Sequence, residues 1–282
     1  MKILLANIGV SEKNGPFIMD MMLPTWRKNF ALVRQPDTEL VLRTSEWGIH
    51  GMDGMFNRAM EFLNRQNIFQ ISKNVDREGF DAVLITCFGD PMMDEMRAWL
   101  DIPVMGIGEC AMHYAAMMGK RFGIVHVDPR PVMECEEQVK KYGLDKYCAG
   151  IVATTEPGEA QPMALVDAHS CIESFKKAGR CLIDMGAEVI IPACGLMSPS
   201  LRVAPGCEDF YPNGFTEVDG VPILDVLSVG LKFTEMAVGL KEAGCSWISR
   251  SGFYAKTSAA EMESGKLCVE DDPRITYWDT VI

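Results

Sequence analysis

Two cysteines in this 282-residue chain stand in matching surroundings. Cys87 follows the run that starts at Gly79, GFDAVLITCFGDP, and Cys194 the run that starts at Gly186, GAEVIIPACGLMSP. Each run has a glycine, an acid two residues on (Asp81, Glu188), a short apolar segment and then the thiol, and all three landmarks recur at one common offset. Inverting a carbon that carries a weakly acidic proton means taking the proton from one face and returning one to the other, which a single base does badly. A pair of thiols flanking that carbon can do it, one as thiolate base and the other as thiol acid, with the roles exchanged for the opposite enantiomer. A free thiol titrates near about 8.5, and a helix N-terminus can draw it toward neutrality. The same N–H groups could hold an oxygen that gains charge in the transition state. Chemistry of this kind requires neither a metal nor pyridoxal. The plainer reading makes both residues ordinary buried thiols among ten cysteines; only the repeated context separates them from the other eight, Cys110 and Cys207 included.

The segments around the thiols must place them. Ala82 to Thr86 is apolar and β-branched, as in a buried parallel strand, and Phe88 to Pro91 is a turn with a helix start behind it. A thiol at the carboxyl end of such a strand lies where open α/β sheets bind ligands. Both copies are followed by a Pro-centred strand, at Ile102 to Val104 and Val221 to Ile223. The rest alternates. Strands are expected at Lys2 to Asn7, Glu39 to Thr44, Phe122 to Val127 and Ile151 to Thr155. Helices are expected from Pro16 through Met22, interrupted by Pro24, and over Met52 to Arg77, Asp94 to Leu100, Glu109 to Met118, Pro131 to Tyr142, Met163 to Met185 and from Asp225 or Ser228 to Ala243. In the second of these, Met52, Met55, Phe56, Ala59, Met60 and Leu63 share one face, which reads as core. Ser198 to Gly220 reads as a long substrate-selecting loop, and the tail from Cys245 holds a short strand at Trp247 to Ser249. The whole is an α/β protein with parallel sheets in two pseudosymmetric lobes, residues 1–106 with 226–282 and residues 107–225, and the duplication would set the cysteines across one cleft.

With 48% hydrophobic residues the chain can fill two cores. A net charge of −12 gives a polyanion nothing to bind, so nucleic acid is excluded, and it does nothing for anionic membranes. No apolar run approaches the ~20 residues of a membrane span, and MKILLANIG is too short for a signal peptide. The thiols are then free in a cytoplasmic protein rather than bridged. His50, His113, His126 and His169 are scattered, and neither CxxC nor HExxH occurs, so no metal site is expected.

Cys87-Phe88-Gly89-Asp90-Pro91, the run Asp101 to Glu109, Arg121-Phe122-Gly123-Ile124-Val125 and Cys194-Gly195-Leu196-Met197 together resemble the aspartate/glutamate/hydantoin racemase superfamily, its hydantoin racemase branch most of all, over nearly the whole chain. The resemblance implies two flavodoxin-like lobes, a site in the cleft between them, and cofactor-independent proton transfer by Cys87 and Cys194 on a small molecule. It also implies substrate contacts from Asn7, Phe88, Gly89, Gly195 and Leu196, and a homo-oligomer. The chain departs from the pattern in places. An Asn-Pro-Asn-Thr type turn is replaced by Asn7-Ile8-Gly9-Val10-Ser11, so only Asn7 carries over, and His126 stands where the family has Thr-like residues. His126 is either a hydrogen-bonded structural histidine or a substrate contact. Gly-Leu-Met replaces the commoner Cys-Ala-Gly after the second cysteine. Relatives of this type also isomerise or decarboxylate small acids, and those activities stay open.

Two readings from other classes compete. Gly106-Ile107-Gly108-Glu109-Cys110-Ala111 fits the G-x-G-x-x-A dinucleotide fingerprint, with Asp128 where a ribose ligand would fall, as in an NAD-dependent oxidoreductase. Glu109 would, however, set a negative charge where the pyrophosphate belongs, and the second copy has no such motif. The other reading is a two-lobed small-molecule binding protein with structural cysteines.

Overall fold

The computed structural model describes residues 1–7, 17–48, 56–154, 168–265, 271 and 275–282. The chain opens with β1 (Lys2–Ala6), passes through a π-helical turn at Phe17–Met22 into α1 (Leu23–Ala31), and returns as β2 (Glu39–Ser45). The π-helical stretch ends at Met22, and Pro24 stands in the first turn of α1, where an N–H is dispensable. α2 (Arg58–Ser72), β3 (Ala82–Ile85), α3 (Met93–Trp99), β4 (Val104–Gly106) and α4 (Ile107–Met118) complete the first half. The second comprises β5 (Phe122–His126), α5 (Val132–Lys141), β6 (Cys148–Ala153), α6 (Ala168–Asp184), β7 (Val189–Pro192), α7 (Met197–Val203), α8 (Cys207–Phe210), the hairpin β8 (Glu217–Val218) and β9 (Val221–Pro222), and α9 (Val226–Glu242). A short α10 (Ala259–Ser264) and β10 (Tyr277–Val281) follow.

Among the described residues the strands form two larger sheets and the two-stranded β8–β9 hairpin. The first has the order β10-β2-β1-β3-β4 and the second β6-β5-β7, with Ile223 bridging in parallel to Ile190 beyond β7. Leaving out β10, β2-β1-β3 corresponds to β6-β5-β7, with the Ile223 bridge standing where β4 does, and β3 and β7 hold equivalent places. Smaller features repeat too. Gly79 and Gly186 both take the left-handed backbone (φ +83° and +90°) that a side chain resists, ending the stretch before each strand. Asp81 accepts the Lys2 amide at 2.6 Å, and Glu188 accepts the Lys120 amide at 2.6 Å, so the acid of each repeat ties the start of the neighbouring strand.

Parallel strands buried on both faces read as continuous apolar runs, with successive residues facing opposite sides. Ile3, Leu5 and Leu84 of the first sheet and Ile124, Val189 and Ile191 of the second face one shared core, which Ile107 and Ala111 of α4 and Leu227 and Leu231 of α9 fill between them. The alternate residues face outward. Leu4, Val83 and Ile85 meet Ile68 of α2 and Met96 of α3, while Val125 and Ile190 meet Phe175 and Leu182 of α6. Each such side chain contributes about 1.5–3 kcal/mol.

Several expectations are corrected. Ser198 to Gly220 is no open loop: it holds α7, α8 and β8, with Ser198, Ser200 and Cys207 buried, because Met197, Leu201, Cys207 and Phe215 pack on the outer core of the second sheet. The long helix starts at Arg58 and ends at Ser72, and Met60 and Leu63, expected in the core, are exposed. The buried face of α2 is Asn64, Ile68, Ile71 and Ser72 instead, since a stripe of apolar residues says which side is greasy and not which side the sheet offers. Met52 and Met55, the loop at 11–15 and the start of the helix expected from Met163 lie outside the described residues. Trp247 to Ser249 is not a strand. The tail's strand is β10, antiparallel to β2 and fastened by Arg43, whose buried guanidinium binds Asp279 (2.7 and 2.8 Å) and Glu78 (2.6 Å).

Candidate active site

Each cysteine comes two residues after a central strand, Cys87 after β3 and Cys194 after β7. The shared core brings these two strand ends against one another. A side chain on Gly195 would collide with the Thr86 carbonyl oxygen, so the backbones beside the two thiols nearly touch, and only glycine permits it. Trp26 of α1 holds the junction by donating its buried indole N–H to the Gly195 carbonyl at 3.0 Å. Thr86 is tied to β1 through its amide (3.0 Å) and hydroxyl (3.2 Å), both on the Ala6 carbonyl, which puts Asn7 next to the Cys87 turn. The Asn7 amide nitrogen contacts the Met22 sulfur at 3.9 Å.

Both thiols are half-buried and free, and each sulfur receives the N–H of the residue two positions on: Gly89 for Cys87, and Leu196, at 3.3 Å, for Cys194. Met197 supplies Cys194 with a second N–H. These donors favour thiolate, yet burial outweighs them. Cys87 is pushed up to about 12 by burial, with the charges of Cys194, Glu61 and Asp90 adding to the rise. Burial also raises Cys194, against its two N–H donors. The expectation of thiols drawn toward neutrality is therefore corrected: one or two N–H dipoles do not make up for lost water.

His126 ends β5, beside the strand that leads to Cys194, and the Ala193 amide is bonded to the Val125 carbonyl at 2.8 Å. Burial lowers its imidazole to about 4, so it is neutral, and Nδ1 accepts the Asp128 amide at 3.3 Å, which leaves the proton on Nε2. Phe56 lies edge-on to the ring at 6.4 Å and also under the Arg130 guanidinium. Asp128 is buried and paired with Arg130 at 2.8 Å.

The other expected contacts divide. Gly89 is exposed and Leu196 half-buried beside their sulfurs. Phe88 and Gly195 are buried: the Phe88 ring belongs to the core and its carbonyl accepts Gln138, while the Gly195 carbonyl is taken by Trp26. Both therefore shape the turns from behind. Sequence reasoning missed Trp26, Gln138 and Tyr142, which reach the turns from distant elements, and the role of the Asp90 carboxylate, which stands in the Cys87 turn but finds its partners far along the chain. It also missed Arg65, which joins Glu61 on α2 (3.1 Å) to Glu134 on α5; only the i,i+4 pair within α2 could have been read in advance.

The dinucleotide-like motif finds a different explanation. Asp90 enters a left-handed backbone (φ 47°) and places its carboxylate on the N-terminus of α4, accepting Gly108 N–H at 2.9 Å and Glu109 N–H at 2.6 Å. A side chain at Gly106 would strike that carboxylate, and one at Gly108 would strike the Phe88 carbonyl and the Gln138 amide. The glycines make room for an internal carboxylate in the place a pyrophosphate would need. Among the described residues, no group of three His, Cys, Asp or Glu is arranged to hold a metal ion, and no helix is long and apolar enough to cross a membrane.

The protein is thus a two-lobed parallel α/β molecule with a thiol at each of two equivalent strand ends. Residues 27–234 match the Asp/Glu/hydantoin racemase family model, and the chain belongs to that family. It is 29% identical over 209 residues to a hydantoin racemase of Pseudomonas sp. (strain NS671), covering 72% of this chain and 76% of that one. With a hydantoin racemase of Paenarthrobacter aurescens it shares 27% over 191 residues, 67% of this chain and 74% of the other. Allantoin racemase from Klebsiella pneumoniae superposes with a TM-score of 0.70 at 25% identity, covering 91% of this chain and 94% of that one. Glutamate racemase from Thermus thermophilus, at 16% identity and a TM-score of 0.51, covers 86% of this chain and 80% of its own and shares the fold. The protein is accordingly an isomerase of the racemase type.

Proposed function

We propose that the protein is a cofactor-independent racemase of hydantoin-type carbon acids, in which Cys87 and Cys194 remove and return the proton from opposite faces of a substrate held in the cleft between lobes 1–106 with 226–282 and 107–225. The observation that carries this reading is the meeting of the two thiol-bearing strand ends, packed so closely that Gly195 has no room for a side chain beside Thr86. The relatives named as hydantoin and allantoin racemases favour a cyclic ureide over a free amino acid. So does the neutral His126, which as Nε2–H donor would serve a ring carbonyl oxygen better than a carboxylate. Amides at Gly89 and Leu196 steady the thiolates, and Asn7 lies within reach of the same turn. A thiolate with high proton affinity is scarce at neutral pH but strong as a base, which suits a weakly acidic carbon. In this reading the substrate is a lone small molecule and the enzyme works in the cytoplasm as a homo-oligomer.

The test follows optical rotation and solvent deuterium uptake at the reacting carbon for a panel of hydantoins, amino acids and malonate-type acids in D₂O. Cys87→Ala and Cys194→Ala should each lower racemisation by about 10²–10⁴-fold. Full racemisation by either variant would remove the two-base mechanism, and a decarboxylated or cis–trans isomerised product would replace the assigned reaction.

A further inference from the structure

Asp90 sits three residues past Cys87, and its carboxylate is fixed by two elements later in the chain, α4 and α5 with the residue after it. Besides the two α4 amides it accepts the Tyr142 hydroxyl at 2.7 Å and the Gln138 amide at 3.3 Å. Gln138 is on α5, and Tyr142 directly follows it. The Gln138 amide also donates to the Phe88 carbonyl at 2.6 Å, and the Asp90 amide closes the turn on the Cys87 carbonyl at 3.1 Å. The turn that carries Cys87 is therefore clamped through one carboxylate, and the left-handed backbone of Asp90 and Met92 (φ 47° and 59°) is held by those bonds. Behind Cys194 the corresponding carboxylate is Asp225, which caps α9 and accepts Ser198 (3.1 Å), Arg202 (3.1 Å) and Ser228, but it belongs to the segment before α9 and not to the Cys194 turn itself. This asymmetry breaks an otherwise matched pair.

We infer that Asp90 is a positioning residue which aims Cys87 by tying its turn to α4 and α5, and whose charge, carried by the Cys87 turn itself, opposes Cys87 and not Cys194, so that in the resting enzyme Cys194 is the readier thiolate and Cys87 the proton donor. The inference rests on the two-cysteine reading and adds the unequal roles. Other charged and titratable groups around the clamp are Glu109 and Cys110 on α4, Arg97 paired with Glu109 at 2.5 Å, and Tyr142 and Cys135 from the α5 side; Glu61 of α2 faces Cys87. Burial brings the Asp90 carboxyl up to about 7 against the pull of its donors. Its charge is then present above that pH and absent below, where Cys87 is relieved of one opposing anion.

The experiment is alkylation by iodoacetamide, with Cys87 and Cys194 followed separately by mass spectrometry from pH 5.5 to 9.5, which needs no substrate. In the wild type, Cys194 should react faster than Cys87, and the rise of the Cys87 rate with pH should flatten near pH 7. Asp90→Asn should abolish the flattening and speed Cys87 about fivefold to tenfold at pH 8 while leaving the Cys194 profile in place. Tyr142→Phe keeps the carboxylate and removes one donor, so its flattening should move to higher pH; it carries the test if the asparagine variant fails to fold. A clamp of structural importance only would speed both cysteines or leave the pH dependence unchanged, and either result overturns the inference. Equal wild-type rates for the two thiols overturn it as well. Unaltered racemisation by Cys87→Ala would instead defeat the two-base reading, whatever the alkylation profiles show.

Discussion

At the scale of single residues, the thiols and their neighbours are governed by burial. His126 is the clearest case for a measurement. Its imidazole is lowered to about 4 in the folded protein, so the native state takes up its proton later than the unfolded chain does. The stability it lends is complete above the unfolded value near 6.5 and is lost as pH falls from there through about 4, amounting to about 3 kcal/mol. His126→Gln should flatten the stability profile across that window in urea titrations at successive pH values; an unchanged slope would mean that the acid sensitivity lies elsewhere. Trp26→Phe should cost about 1–2 kcal/mol by leaving the buried Gly195 carbonyl without its donor. It should also lower kcat, because that carbonyl adjoins Cys194. The cysteines were legible from sequence because their neighbours repeat. Phe88 and Gly195 were legible as important but not as backing, since a sequence does not say which side of a turn meets the core.

Elements set the distance between the two halves of the site. β3 and β7 approach at their carboxyl ends because α4 and α9 fill the space behind them and Gly195 leaves none beside Thr86. Gly195→Ala should lower stability by about 1–3 kcal/mol through overpacking and cut racemisation sharply, as the strand ends are forced apart. Gly108→Ala should match it in stability loss, with the Phe88 carbonyl and Gln138 in the way. Gly239→Ala, on the exposed face of α9 with nothing near, should instead gain about 0.5–1 kcal/mol, and thermal unfolding of the three side by side checks the contrast. Periodicity located most of the helices and strands but not α1, α10, β8 or β10. It misjudged α2, whose apolar stripe and buried face differ, and the segment after Cys194, where Pro, Gly and acids concealed α7 and α8.

For the whole molecule, the tail is part of the first sheet, and Arg43 is its fastener. Its guanidinium is buried among Glu78, Asp279 and the Ile71 carbonyl and stacked on Tyr277. Arg43→Leu leaves two carboxylates facing each other without their cation. The expected loss is about 3 kcal/mol, read as a lower urea midpoint with β10 exchanging its amide hydrogens first. A variant that unfolds like the wild type would show the strand to be held by its ladder alone.

The sequence by itself determined the alternation of strands and helices, the duplication and the two thiols, because these are written in local spacing and survive as short words in the chain. Only the tertiary structure decided that a glycine motif resembling a nucleotide site is space for the Asp90 carboxylate, that the two sheets share one core, and that the paired cysteines have unequal surroundings. Contacts such as Asp90 with Tyr142 or Trp26 with Gly195 join residues far apart along the chain, and their geometry exists only once the intervening elements have packed.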